Sequence, residues 1–454
     1  MSSTPRSLTR NVARTPITRR SMVQIGVGAA GAAALGGRLA SPATAQDGGS
    51  IVFLSTQLRP VNEAEAFRNV VLADFEGQVE FLPEDIGPFN DRLIAEAEAG
   101  QGEVGIVGGQ HGDFASLVER ELLMDLSELA GELADRGLVE DYLALGRFGG
   151  EEQLYIPWMQ ATYIMAANRE ALAFLPEGLD ETTLQTELTY EQLGAWVTAI
   201  NEDQGPRFGL PAGQDGLLHR FLQGYAYPSF TGGVNTTFVS DEAVAMWEWL
   251  RETWAVTNPQ STGYAFMQEP LLSREVLVAW DHTARLINAL QTSPDDFITF
   301  PAPRGPAGLG FLPVVAGLAI PKTAPDPEAS LALIEYLTRP ETQALTLQEV
   351  AFFPAIAADL PTELDPGIQA EADAVAATAT DPNALPSLLP VGLGDQAEAY
   401  NKVFRDAFQR IILDEEEIEA VLADEGANLQ AALDAAEAAC WAPDPDSDGT
   451  CQVG

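Results

Sequence analysis

The stretch 275–322 constrains this chain more than any other. It opens with Glu275-Val-Leu-Val-Ala-Trp280, a short apolar run of strand length. Asp281-His282-Thr283 follows, and then 284–290, where apolar residues recur near helical spacing with Asp281 or Thr283 as the expected N-cap. A strand that turns into a helix in this way aims polar groups and free backbone N–H donors out of its carboxyl end. In open α/β sheets that is where ligands bind. A second strand, Phe297-Ile-Thr-Phe300, runs into Pro301, Pro303, Gly305 and Pro306 before the apolar run 311–320. Such a connector suits a crossing between two lobes or a surface turn within one domain.

The same alternation runs through the rest of the chain. Ile51–Leu54, Val79–Phe81 and Val104–Val107 read as strands, separated by a helix with Phe67, Val70, Val71 and Phe75 on one stripe and by a second over 89–99. Helical segments follow around 114–120 and 126–145. Strands alternating with helices predict a mainly parallel sheet covered on both faces, so the first lobe is α/β. Residues 153–169 form a Pro-punctuated crossing and an apolar strand. An aromatic-rich segment, 214–230, holds Phe221, Tyr225, Tyr227 and Phe230, and helix 241–254 buries Trp247, Leu250 and Trp254. Beyond Lys322 the chain is mostly helical to Cys440, interrupted at Phe352-Phe353-Pro354.

With 454 residues the chain is long enough for two or three domains. Residues 1–45 contain six of the 24 basic residues and none of the 67 acidic ones. Arg19-Arg20, a Gly/Ala-rich segment and Ala43-Thr44-Ala45 before Gln46 read as a twin-arginine export signal with its cleavage site. No Cys lies near that site, which argues against a lipid anchor. Gly26-Val-Gly28-Ala-Ala-Gly31 matches the dinucleotide fingerprint, but no strand precedes it and the segment is expected to be removed. The net charge is −43, which excludes nucleic acid and anionic membrane as partners. The acids are spread along helix surfaces and read as a solvated face.

Cys440 and Cys451 are expected to form a disulfide that stabilises the C-terminus. Inside that loop Asp444, Asp446, Asp448 and Gly449 reproduce the start of a calcium loop, but its bidentate Glu would fall beyond Gly454. An acidic turn is the simpler reading.

The three histidines, His111, His219 and His282, lack metal-ligand spacing, and there is no Gly-x-Ser-x-Gly elbow or phosphate-cradling loop. This pattern predicts a protein that is not an enzyme and needs no cofactor, although 67 acids always offer a carboxylate pair of the kind used in glycoside hydrolysis. What does recur is a polar and aromatic set at strand ends and crossings: Gln57 and Arg59, Gln110 and His111, Trp158 and Gln160, and Trp280, Asp281 and His282. Tyr225, Gly317 and Phe353 complete the candidate ligand-binding set. Sugars present hydroxyls that need directional partners and C–H faces that lie well on Trp or Tyr rings.

These residues, in this order, resemble the extracellular solute-binding proteins of ABC importers, specifically the carbohydrate-binding group that includes maltose-binding protein. Residues 93–107 are similar to the family's helix, small-residue turn and strand, with Glu103 where the family usually has Pro-Asp. Tyr155-Ile-Pro157 followed by Asn168-Arg-Glu170 resembles its Pro-containing crossing and strand end, with Ala167 in place of the usual Tyr. The run 275–280 resembles the Gly-x-x-Ala-Met strand, with Trp280 at the Met position. Ala316-Gly317-Leu-Ala-Ile320-Pro-Lys322, then a helix ending Tyr336-Leu337-Thr338 before Glu341-Thr-Gln343, is the most specific match.

The resemblance implies a two-lobe α/β periplasmic binding protein fold with the ligand cleft between lobes. Lobe 1 would comprise 46–155 and 298–345, and lobe 2 would comprise 156–297 and 346–454. It further implies a monomer in the periplasm that captures a carbohydrate and delivers it to ABC permease subunits. A polyamine is the alternative ligand, since the chain is acidic, but among the strand-end residues only Asp281 could face such a cation. An exported hydrolase on the same frame is the other alternative. The first prediction concerns the leader: mass spectrometry of exported protein should find residues 1–45 removed, and an intact N-terminus would contradict the export signal.

Overall fold

The computed structural model describes residues 50–356, 364–390 and 392–454, so the predicted export signal lies outside the described residues. Twelve strands follow in chain order. The first six are β1 (Ile51–Ser55), β2 (Val79–Pro83), β3 (Val104–Gln110), β4 (Ile156–Ala161), β5 (Tyr163–Asn168) and β6 (Phe208–Gly209). The others are β7 (Val278–His282), β8 (Phe297–Phe300), β9 (Leu309–Phe311), β10 (Val314–Ala319), β11 (Phe353–Pro354) and β12 (Ala384–Pro386). They form a six-stranded sheet in the order β11-β4-β10-β3-β1-β2, a four-stranded sheet in the order β6-β7-β5-β8, and the pair β12-β9.

Both large sheets are mixed. β1 runs parallel to β2 and β3, whereas β10 is antiparallel to β3 and β4. In the second sheet β7 is parallel to β6 and antiparallel to β5. Only one residue, Thr162, separates β4 in the first sheet from β5 in the second. The return path leaves the second sheet after β8 and re-enters the first at β10, through the Pro/Gly-rich connector. The apolar run 311–320 is therefore two strands broken at Pro313. The expected helix 126–145 is likewise interrupted, into Ser127–Glu132, a short turn and Glu140–Leu145, because Gly137 adopts a left-handed conformation (φ 67°).

Alternation along each strand sends side chains to two cores. Phe53, Phe81, Ile106 and Trp158 lie in one cluster, whereas their neighbours Leu54 and Val107 join Phe89, Leu93 and Phe114 on the other face. Phe53, Phe67, Phe81 and Trp158 pack with ring centroids 4.6–5.9 Å apart. In the second sheet Val278 and Trp280 join the first cluster, and Ile164, Ala166 and Ala279 face Met267, Leu271 and Leu286.

The tail is pinned to the second half of the fold. Cys440 and Cys451 are joined, and their loop presents Asp444, which is 4% exposed, to the segment before helix Asp241–Trp254. Its carboxylate accepts the backbone N–H groups of Val234, Asn235 and Thr236 at 2.8–3.1 Å and the Thr236 hydroxyl at 2.6 Å. Asp444 thus anchors the tail instead of opening a calcium loop. Among the described residues no three His, Cys, Asp or Glu are grouped to hold a metal. Among them, too, no helix is long and apolar enough to cross a membrane.

Glu371, on helix Pro366–Ala379, is fully buried and neither carboxyl oxygen has a partner, so burial holds its pKa well above the ordinary 4.5. The native state keeps this proton while the unfolded chain releases it. Its contribution is therefore fully present below pH 4.5 and is lost as pH rises toward the folded pKa, by up to about 1.4 kcal/mol per pH unit. Glu371→Leu should raise the melting temperature at pH 8 and lose that advantage toward pH 4, as measured by calorimetry.

Candidate functional site

Strand pairing decides which side chains can reach a solute. β7 extends through His282, which pairs with Tyr163, while Asp281 pairs with Ile164 and Trp280 with Met165. The strand thus ends two residues later than the sequence suggests, and His282, rather than Asp281 or Thr283, caps helix Thr283–Thr292 by accepting the Ala284 N–H on Nδ1 at 3.2 Å. Since neighbours on a strand face opposite ways, Trp280 and His282 share one face and Asp281 points to the other. Asp281 is fully buried there. Its oxygens accept the Met267 N–H at 2.9 Å and the His282 N–H at 2.8 Å. Burial lifts its pKa to about 7, against the lowering effect of Arg285 and the two N–H donors. Asp281 is a buried anchor for helix Gln268–Leu272, turned away from the Trp280 face.

Several other expected ligand residues are likewise occupied in packing. Trp158 is fully enclosed by Phe53 and Phe67, and Trp280 by Tyr163 (stacked at 4.7 Å), Phe221 and Tyr225. His111 is 5% exposed, stacks on Phe148 at 4.4 Å and bonds the Tyr155 hydroxyl at 3.0 Å through Nδ1. Burial drops its pKa to about 4, so it stays neutral. A Cβ at Gly317 would run into the Tyr155 ring, so that glycine is there for close packing. Phe353 is buried on β11, and Arg59 is exposed and ion-paired with Asp85. Tyr225 serves the crossing. Its hydroxyl donates to the Tyr163 carbonyl, accepts the Tyr163 N–H and lies beside the Thr162 hydroxyl, each at 3.0 Å.

What remains of the expected set is polar. On the first sheet's side Gln57 donates to Thr56 Oγ1 at 2.9 Å, and the Thr56 hydroxyl and Gln110 N–H donate to Asp113 at 2.6 and 2.8 Å. Gln160, half-buried on β4, accepts from Tyr142 and donates to the Pro354 carbonyl at 3.0 Å. On the second sheet's side is the half-buried His282, which packs edge-on to the buried Tyr163 at 4.9 Å. Burial, reinforced by Arg285, lowers the His282 pKa to about 3. Burial, the dominant effect, pushes the Tyr163 hydroxyl up to about 12, although Arg220 and Arg285 lie close enough to favour its ionisation.

Sequence reasoning missed Tyr163 and Arg220. The signal for Arg220 was a lone basic residue inside the aromatic segment of an acidic chain. A groove of about 590 Å³ opens elsewhere, beside Tyr190, Trp249 and Arg304, away from the strand ends.

Residues 61–344 match the family described as bacterial extracellular solute-binding protein, and the chain belongs to that family. No curated protein matches the chain. Among solved structures the chain is similar to UgpB from Mycobacterium tuberculosis in complex with glycerophosphocholine. The identity is 17%, covering 85% of this chain and 99% of that one, with a TM-score of 0.66. It is also similar to maltose-bound MalE3 of T. maritima, at 16% identity over 84% and 98% of the two chains, TM-score 0.66. The GacH receptor of Streptomyces glaucescens, solved unliganded and with acarbose, aligns at 15% identity over 85% and 98%, TM-score 0.63. The fold is the two-lobe periplasmic binding protein fold.

Asp281→Asn replaces an acceptor oxygen with an N–H₂ facing a backbone N–H. It should lower stability by about 1–3 kcal/mol in a denaturant titration while leaving solute affinity unchanged. A full-strength fold with weakened binding would instead return Asp281 to the cleft.

Proposed function

We propose that the protein is the exported substrate-binding component of an ABC importer, capturing a sugar-type or polyol solute between two lobes. The observation that carries this is the single-residue crossing at Thr162, which brings the polar ends of β1 and β3 toward the Tyr163 and His282 face of the other sheet. Lobe 1 would be built on the six-stranded sheet and lobe 2 on the four-stranded one. The chain would cross at Thr162, within 301–313, and between β11 and helix Pro366–Ala379. The similar proteins are named with maltose, acarbose and glycerophosphocholine, all small and rich in oxygen.

Function on this reading is binding without bond cleavage. A solute that touches both lobes stabilises the closed form, and only this difference in affinity drives closure. The closed form is what the permease would recognise. The protein would act as a monomer in the periplasm after twin-arginine export. A polyamine is disfavoured because Asp281, its expected carboxylate, spends both oxygens on backbone N–H groups.

A thermal-shift screen over sugars, polyols and polyamines tests the reading. A true ligand at a hundred times its Kd should add about 2.7 kcal/mol of stability. Turnover of a glycoside in the same mixtures, or stabilisation by polyamines alone, would contradict it.

A further inference from the structure

The described part of this acidic molecule contains a cation that has no carboxylate beside it. Arg220 lies on the short helix Leu218–Phe221, directly before a π-helical turn, Leu222–Ala226. Its guanidinium makes one hydrogen bond, to Gln223 Oε1 at 2.9 Å, and Gln223 in turn donates to Asn401 Oδ1 at 3.0 Å. Arg136, Arg169, Arg274 and Arg410 are paired with Asp or Glu, and Arg68, Arg207 and Arg251 donate to backbone carbonyls, whereas Arg220 has only a neutral side chain as its partner. Arg220 is half-buried and, among the described residues, has no carboxylate within ion-pair distance. Burial lowers its pKa, so the site works against its charge in the absence of a counter-ion.

Two more polar groups on the same side of the fold are unpartnered. His219, only 9% exposed, has a buried Nδ1 with no partner. Burial, and then the positive charges of Arg220, Arg405 and Arg285, lower its pKa to about 3, in a chain of net charge −43. Arg405 carries a partner, Glu398, and Arg285 donates to the Ala265 carbonyl at 2.8 Å over the Phe266 ring. The Trp280 indole N–H, on the face shared with Tyr163 and Phe221, is buried and unpartnered as well. Buried carboxylates of the molecule are committed elsewhere: Asp281 to Met267 and His282, Asp113 to Thr56 and Gln110, and Asp444 to 234–236. A neutral sugar hydroxyl is both donor and acceptor, so a site for neutral sugars offers carboxylates as well as donors. Here the guanidinium is a donor with no carboxylate to match it.

We propose that the solute carries an oxyanion, a phosphate or a carboxylate on a polyol or sugar, and that Arg220 is the residue that binds it. This rests on the solute-binding reading given above and names its ligand class. Gln223 and Asn401 orient the guanidinium, leaving its remaining N–H groups for the anion, and the adjacent Phe221 packs on the Trp280 ring at 5.1 Å, which fixes the helix that carries Arg220.

Isothermal titration of the wild type, Arg220→Gln and Arg220→Lys with glycerol phosphate, glucuronate and maltose tests this and separates the two sources of the anion. The expected result is binding of one anionic probe, weakened about tenfold to a hundredfold in Arg220→Gln and less in Arg220→Lys, with maltose weaker throughout. Because Arg220→Gln can disturb the Gln223–Asn401 link, the wild type provides a second readout: added salt should weaken the anionic probe and leave maltose unaffected. Maltose bound best, and equally by the wild type and Arg220→Gln, would overturn the oxyanion while leaving the solute-binding reading intact. Anionic binding indifferent to both salt and Arg220→Gln would overturn it too. Silence of all three probes would count against both readings.

Discussion

The Tyr225 hydroxyl holds together the place where the chain changes sheets. It grips both the N–H and the carbonyl of Tyr163, and Thr162 beside it donates to the Leu312 carbonyl at 3.0 Å. The outgoing crossing at Thr162 and the returning one near Leu312 are therefore tied by a single buried side chain. Burial raises the Tyr225 pKa, so the hydroxyl stays a neutral donor and acceptor. If the two halves move relative to one another, they turn about this knot. The π-turn that carries Tyr225 also carries Gln223, which orients Arg220, so the mechanical and recognition elements share one short helix.

The electrostatics follow from how carboxylates are used. An acidic surface spreads its charge into water, where it costs little. Inside, each carboxylate needs its own donors or gives up its charge. Asp444 accepts backbone N–H groups as a tail anchor, Asp281 accepts those of Met267 and His282, and Glu371 remains protonated. None is left to neutralise Arg220.

Much of the fold could be read in the chain because periodicity survives without tertiary context. The strands at 51–55, 104–110 and 297–300 and the helix at 241–254 lie close to where the pattern puts them. The Ala316–Lys322 motif marks the strand that returns to the first sheet. The site was harder because a two-residue shift in where β7 ends changes which side chain caps the helix and which face each one occupies. Trp280, Asp281 and His282 look like one polar turn in sequence, yet pairing with β5 puts Asp281 opposite the other two. Burial was equally hidden. Trp158 and Trp280 have the composition of a sugar platform and the packing of a core, because their rings are covered by Phe53 and Phe67 in one case and Tyr163 in the other. Gly317 belongs to the family-like motif, but its role is to admit the Tyr155 ring.

A crystal structure of the protein with a solute from the screen tests the central claim most directly. The account predicts density between the two sheets, touching Arg220 and the Tyr163–His282 edge on one side and the Gln57–Gln110 end of the first sheet on the other. Density in the groove beside Tyr190, Trp249 and Arg304, with the strand ends empty, would contradict it.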